Sequence, residues 1–356
     1  MHFISRCTSR FSIFLIFQFL ATSCAVSAGD RNPPNNDSNH LPAGIGPSGT
    51  QTISPQQTVN QTPVGAQNQQ NATRLDVIGQ VPLASNENLP LGLPQEVTTK
   101  KEVIISRHQY ALSWNNDTRQ INWASWTIES TNFGSVGRRD RFAVDKDLQD
   151  YLSQFNAHAV TPTDYEGTCL DRGHQVPSGD RTATVDDNAA TFMMSNIIPQ
   201  TAHLNRVAWE HLEAHLRSVI STTRASKLLI VSGPIFGSNP GHIGPNKDIP
   251  VPASNFKVIV QLGGADGSSQ AGSNSPIMAV VMPNVTSKGT DPLVDHAQAC
   301  ADSGIKDVGS DVTGSDDWKA YLTTLAEVER QAGVHLFTKV PQSVHDAWSQ
   351  RPPQPF

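Results

Sequence analysis

Apolar positions in this chain gather into short runs from about residue 102 onward, and between residues 29 and 98 they are scarce. Segments 102–106, 109–114 and 120–128 carry the β-branched and aromatic residues of strands, and Asn115-Asn116-Asp117-Thr118 between the last two is a turn signal. These two segments predict a hairpin. Further runs of strand length lie at 227–232, 256–262 and 277–282, set apart by Gly, Pro and Ser. Helical spacing appears over 147–155, 203–220 and 316–332, the last with Ser315 placed to cap its start. Strands in runs, not in strict alternation with helices, point to an α+β fold: a mostly antiparallel sheet with flanking helices.

The first hundred residues read differently. Arg6 and Arg10 precede an apolar run ending at Ala21, and Val26-Ser27-Ala28 offers the small residues of a cleavage site, so 1–28 is expected to be a signal peptide. Ala21-Thr22-Ser23-Cys24 also allows a lipoprotein reading, and lipidation at Cys24 is the only route to stable membrane association. Segment 29–98 is rich in Pro, Asn, Gln and Ser without periodicity, the composition of a disordered stalk. The folded domain is then expected over 99–348, starting near Lys101, with a tail at 349–356. After export, Cys169 and Cys300 would remain, either bonded or as two separate thiols.

A net charge of −6 gives the chain no bulk attraction for a polyanion. Any such binding needs a local basic patch, for which Arg138, Arg139, Arg141, Arg172 and Arg181 are the candidates. They surround the stretch richest in chemistry, Asp171-Arg172-Gly173-His174-Gln175-Val176-Pro177-Ser178-Gly179-Asp180-Arg181, whose Gly and Pro suggest a loop. His174 has the side chain suited to take a proton from water near neutral pH. Arg172 offers a planar fork for phosphate oxygens, and Gly173 would let the backbone come close to a phosphate. Asn205 supplies a neutral oxygen acceptable to a hard divalent cation that keeps most of its waters. In a regular helix Asn205, Trp209 and Glu213 share a face, but Glu213 lies roughly 12 Å further along and cannot bind the same ion directly. Trp209, Leu212 and Leu216 are expected to pack in the core.

An ordered series now stands out. Asp171-Arg172-Gly173-His174, Pro177-Ser178, Asp180-Arg181, Phe192, Ser195-Asn196-Ile197, Pro199-Gln200, Asn205, Trp209, Leu212-Glu213 and Arg217 are followed by Ser232-Gly233-Pro234-Ile235-Phe236, Val251-Pro252 and Phe256-Lys257. The series resembles the DNA/RNA non-specific endonuclease family of the ββα-metal superfamily, over about residues 100–345. The resemblance implies a ββα-metal motif and hydrolysis of DNA and RNA to 5′-phosphate products with little sequence preference. It implies His174 as general base, Mg2+ (or Mn2+) on Asn205, Arg172 and Glu213 in catalysis, and Asp171, Gly173, Asn196 and Gln200 in support. It also implies an upstream arginine, for which local spacing leaves Arg138, Arg139 and Arg141 open, with Arg139 preferred. Gln175 stands where the family usually has an apolar residue.

Two alternatives compete. A nuclease fold can be catalytically silent and serve binding or adhesion, although His174, Asn205 and Glu213 together argue against silence. His211 and His215 have the i, i+4 spacing of zinc ligands, but Leu212 occupies the place where zinc peptidases carry their glutamate base. Substrate preference, inhibitor partner and oligomeric state are not legible.

Overall fold

The computed structural model of the chain describes residues 75–97, 102–222, 227–263, 271–306 and 315–356. The expected signal peptide and residues 29–74 of the expected stalk lie outside these. In chain order, β1 (Asp76–Gly79) and β2 (Gln95–Glu96) precede the first three predicted strands, β3 (Glu102–Ser106), β4 (Ala111–Asn115) and β5 (Gln120–Ile128). Then come α1 (Lys146–Ser153), β6 (Asp171–His174), α2 (Val185–Thr191), β7 (Ile197–Gln200) and α3 (Trp209–Thr222). The second half holds β8 (Lys227–Ile235), β9 (His242–Ile243), β10 (Ile249–Pro250), β11 (Ser254–Leu262), β12 (Ile277–Pro283) and α4 (His296–Asp302). It closes with β13 (Leu322–Thr323), α5 (Leu325–Ala332), β14 (Val334–His335) and α6 (Gln342–Ser349).

The fold is α+β, built on an eight-stranded sheet in the order β1-β3-β4-β5-β8-β11-β12-β13. Every pair in it is antiparallel except β1 with β3. The predicted hairpin is β4–β5, joined through the Asn115–Thr118 turn. Alternate residues of the central strands feed two separate cores. Trp126, Leu228, Ile230 and Ile259 pack with α1, α3 and the β6–β7 pair. Trp123, Leu229, Val231 and Val258 pack with α5 and α6 on the other face. Covering both faces explains why these strands read as continuous apolar runs, not as alternations.

The stalk ends earlier than expected. β1 pairs in register with β3, from Asp76 opposite Val103 to Gly79 opposite Ser106, and Leu89 and Leu91 are buried. Two of the asparagines that argued for disorder, Asn86 and Asn88, are used inside the fold. Asn86 Nδ2 donates to Ser106 Oγ at 2.8 Å, Asn88 Nδ2 to the His108 carbonyl at 3.0 Å, and Asn88 Oδ1 accepts from the Thr127 amide at 3.1 Å. A polar residue satisfied in this way counts toward the core instead of against it.

Two further boundaries move. The expected helix over 316–332 is broken, because Leu322–Thr323 supplies the strand that pairs with β12, and α5 starts only after Thr324, whose side chain caps it. At the C-terminus, α6 was not foreseen, and the expected tail packs: Arg351 donates to the Ser275 carbonyl at 2.6 Å and Phe356 lies against the core. The disulfide between Cys169 and Cys300 is formed and ties the approach to β6 to α4 across 131 residues of chain.

Candidate active site

The Asp171–His174 stretch, expected as loop, is a strand. It pairs antiparallel with β7, placing Gly173 opposite Ile198 and His174 opposite Ile197. From β7 the chain enters a single π turn, Leu204–Ala208, that leads directly into α3. Two strands and a helix thus meet as expected, but the wider i→i+5 turn rotates Asn205 relative to the regular spacing from Trp209. Trp209 is buried as predicted, with Leu212 and Leu216, while Asn205 lines an open cavity of about 640 Å³ with His174, Glu213, Arg138 and Arg217.

Hydrogen bonds behind the cavity fix Asn205 and the turn after His174. Asp171 accepts two charge-assisted bonds from Arg206, Nη2 to Oδ1 at 2.6 Å and Nε to Oδ2 at 2.8 Å, and Oδ2 also accepts from Asn205 Nδ2 at 2.8 Å. That last bond sets which way the Asn205 amide faces and leaves Oδ1 as the acceptor for a ligand. Asn196, fully buried, donates to the Val176 and Thr191 carbonyls, each at 2.9 Å, and accepts from the Val176 amide at 3.0 Å, so it fixes the turn after His174. Gln175 is buried and accepts from Ser232 Oγ at 2.9 Å, the polar answer to an apolar position.

Gly173 serves packing instead of phosphate approach. A Cβ there would meet Gln200 Oε1 at 2.0 Å, so the Gln200 side chain fills the space glycine leaves. The Gln200 amide is itself buried without a hydrogen-bond partner among the described residues.

His174 lies edge-on to Phe192, with ring centroids 4.8 Å apart, and tilted to Phe142 at 5.4 Å. Burial, reinforced by the charges of Arg138 and Arg172, pushes its pKa down to about 3. The imidazole is therefore neutral at any working pH, and its Nε2 is buried without a partner among the described residues. Arg172 stacks its guanidinium over Phe142 at 4.2 Å. Of the three candidate upstream arginines, Arg138 reaches the cavity, 5.5 Å over the Phe192 ring and 3.5 Å from Ser178 Oγ, whereas Arg139 donates its backbone amide to Asn188 Oδ1 at 3.2 Å and its side chain does not line the cavity. Arg181 leaves the expected basic patch altogether. It is buried and donates to the Gln109, Thr127 and Asp180 carbonyls.

The glutamate on α3 has a partner that sequence reasoning gave no role. Lys257 on β11 is fully buried, with Nζ 2.5 Å from Glu213 Oε1 and 3.8 Å from the centre of the Trp209 ring. Burial pushes the Glu213 carboxyl up and the Lys257 ammonium down, each opposed by the other's charge. The signal was present in Phe256-Lys257-Val258, since a lysine inside an apolar strand must find a carboxylate. Arg217, 3.3 Å from Asp180, adds a further cation to the cavity wall.

Oxygen donors from an amide and carboxylates, without a histidine cage, suit a hard cation such as Mg2+ that keeps waters. The residues fit that group through the Asn205 carbonyl oxygen, with Glu213 and Glu210 nearby on the wall. The helical histidine pair does not form a zinc site. His211 Nδ1 is taken by Asp317 at 2.9 Å and His215 stacks against Trp318 at 4.8 Å.

A family model described as DNA/RNA non-specific endonuclease matches residues 89–343. The chain belongs to this family. It is 34% identical over 265 residues to a nuclease of Nostoc sp., covering 72% of this chain and 82% of that protein. It is 28% identical over 198 residues to the mitochondrial endonuclease G of Bos taurus, covering 53% and 62% of the two chains. In fold it is similar to a chain in a solved complex of EndoG with EndoGI, at a TM-score of 0.53 and 22% identity, covering 74% of this chain and 95% of that one. As a family member the chain is a nucleic-acid hydrolase, and the match from residue 89 agrees with a fold that begins ahead of Lys101.

Proposed function

We propose that this enzyme is an exported, Mg2+-dependent endonuclease that hydrolyses phosphodiester bonds of DNA and RNA with little sequence preference, leaving 5′-phosphates. The observation that carries the proposal is one cavity holding a neutral His174 beside Asn205, Glu213, Arg138 and Arg217. Mn2+ has similar donor preferences and could replace Mg2+. The bonded Cys169–Cys300 pair, which suits an oxidising compartment, supports export with the leader-like residues 1–28.

His174 takes the proton from the attacking water. A free imidazole with a pKa near 3 is a weak base; burial depresses it most, and the charges of Arg138 and Arg172 add to that. A bound phosphate offsets the arginine part of that depression, though not the burial, so the proton affinity of His174 rises when substrate arrives. Arg138 and Arg172 then steady the charge that develops on the phosphate oxygens. Asp171 holds the Asn205 amide, and Lys257 holds Glu213. When bound, the divalent ion supplies charge stabilisation at a phosphate oxygen and the leaving oxygen.

The test compares leaving groups. The nitrophenolate of a nucleotide nitrophenyl diester departs with little stabilisation, yet the phosphorus still needs an activated nucleophile. On this substrate Asn205→Ala is expected to lose much less kcat/KM, relative to the unmutated enzyme, than it loses on DNA, while His174→Ala stays severely impaired on both. Recovery of His174→Ala on the nitrophenyl substrate without recovery of Asn205→Ala would overturn the assignment.

A further inference from the structure

On the face of the sheet away from the nuclease cavity, three ligand-bearing side chains converge from three elements. Glu329 stands in α5, His335 in β14 and His345 in α6. The convergence is set by the backbone. Gly333 closes α5 in the left-handed conformation, φ 66°, and turns the chain so sharply that β14 folds back along the helix end. The Leu336 amide then donates to Glu329 Oε1 at 2.7 Å and pins the carboxylate. The same oxygen lies 3.2 Å from His335 Nδ1 and 3.0 Å from His345 Nε2, and the two imidazole centroids are 4.6 Å apart.

We propose that Glu329, His335 and His345 form a second metal site, for Zn2+ or a similar transition ion, independent of the Asn205 site. The three ligand atoms lie within 4.8 Å of one another. Around tetrahedral Zn2+ with bonds of about 2.0–2.1 Å, neighbouring ligand atoms are ~3.3 Å apart. Two of the three separations are already close to that value, and the third closes by rotation of the His335 ring, whose side chain is 42% exposed. Two imidazole nitrogens and one carboxylate oxygen are a zinc donor set and a poor one for Mg2+.

The site is preformed where it must be and open where it must be. Glu329 and His345 are mostly enclosed, at 15% and 8% side-chain exposure, while His335 gives the ion its way in and leaves a fourth position for water. Ser349 Oγ, 3.4 Å from His345 Nδ1, is placed to orient that ring from behind. Before the ion binds, the two imidazoles can donate to the one carboxylate oxygen; on binding, each carries its proton on the other ring nitrogen instead. The other cluster of potential ligands among the described residues, Cys169, His296 and Cys300, has its sulfurs in the disulfide and does not compete.

The consequence is structural. An ion here joins α5, β14 and α6, and β14 in turn pairs with β2, Val334 opposite Glu96 and His335 opposite Gln95. It would clamp both ends of the folded domain without entering the catalytic cavity.

The test uses the full chain with its disulfide intact, stripped with chelator and titrated with Zn2+ by calorimetry and with Co2+ by visible absorption. Unmutated protein and Asn205→Ala are both expected to bind one Zn2+ of micromolar affinity or better at this site, with Co2+ giving tetrahedral d–d bands and Zn2+ raising Tm. Losing an outer-sphere partner typically costs 10–100-fold in metal affinity, and His335→Gln and Glu329→Gln each remove a direct ligand, so each should cost more. His335→Cys, which keeps a ligand, should retain the ion. Mg2+-dependent DNA cleavage should be unchanged in His335→Gln. Zn2+ binding of equal stoichiometry and affinity in His335→Gln, or no binding by the unmutated protein at micromolar concentrations, would overturn the proposal.

Discussion

Replacing Lys257 by methionine isolates the charge at the centre of this site. Methionine fills most of the volume of the lysine stem, so the change removes an ammonium without opening a cavity. At 2.5 Å and an effective dielectric near 20, the gross attraction between Lys257 and Glu213 is ~7 kcal/mol, and desolvating two ions costs several kcal/mol each. The two nearly cancel, so the intact pair contributes little net stability. Removing one partner is different, because it leaves Glu213 enclosed with only the Arg217 charge to offset its carboxylate, at a typical cost of about 3–5 kcal/mol. The lost contact with the Trp209 face adds up to about 2 kcal/mol. Lys257→Met should therefore lose about 3–7 kcal/mol in urea unfolding, and kcat/KM should fall because Glu213 loses its anchor. The double variant Lys257→Met/Glu213→Gln should recover a large part of the stability but not the activity. A single variant within about 1 kcal/mol of the unmutated protein, or a double variant costing the sum of the two singles, would refute the reasoning.

Three other outcomes are expected. His174 holds its proton more weakly folded, near 3, than unfolded, near 6.5, so the unfolded chain binds more protons between those values. Stability from this group is complete above about pH 6.5 and falls by up to about 5 kcal/mol as pH drops towards 3; pH-dependent unfolding of the protein and of His174→Gln should diverge in that window, and superimposable curves would count against it. Gly173→Ala should be strongly destabilised by the Cβ that meets Gln200, and Gln200→Ala should rescue it in thermal melts; absence of rescue would mean the clash is not the cause. Replacing Cys169 and Cys300 by serine opens a loop of 131 residues and should cost about 4–5 kcal/mol on chain-entropy grounds, read as a lower urea midpoint, whereas an unchanged midpoint would rule out a stabilising role.

Local pattern alone determined the strands at 102–106, 120–128, 256–262 and 277–282, the hairpin at Asn115, and the helix bearing Glu213, because side-chain period and turn chemistry act over a few neighbouring residues. His174 and Asn205 stood out by their chemistry, whereas Glu213 joined them only through the resemblance of the ordered motif series to the nuclease family. What local pattern could not weigh was a partner distant in sequence. Asn86 and Asn88 look like stalk until Ser106 and Thr127 accept or donate their hydrogen bonds. Local spacing left Arg138, Arg139 and Arg141 open with Arg139 preferred, whereas the packing of Phe142 and Phe192 around His174 places Arg138 at the cavity. Leu322 and Thr323 fit a helix in isolation, yet β12 offers them backbone hydrogen bonds at the sheet edge and the helix starts later. Lys257 carries a charge into a strand because Glu213, 44 residues earlier on another element, comes to meet it. Tertiary structure decided these cases because burial makes an unpaired polar group costly, and whether a pair exists depends on which distant segments the fold brings together.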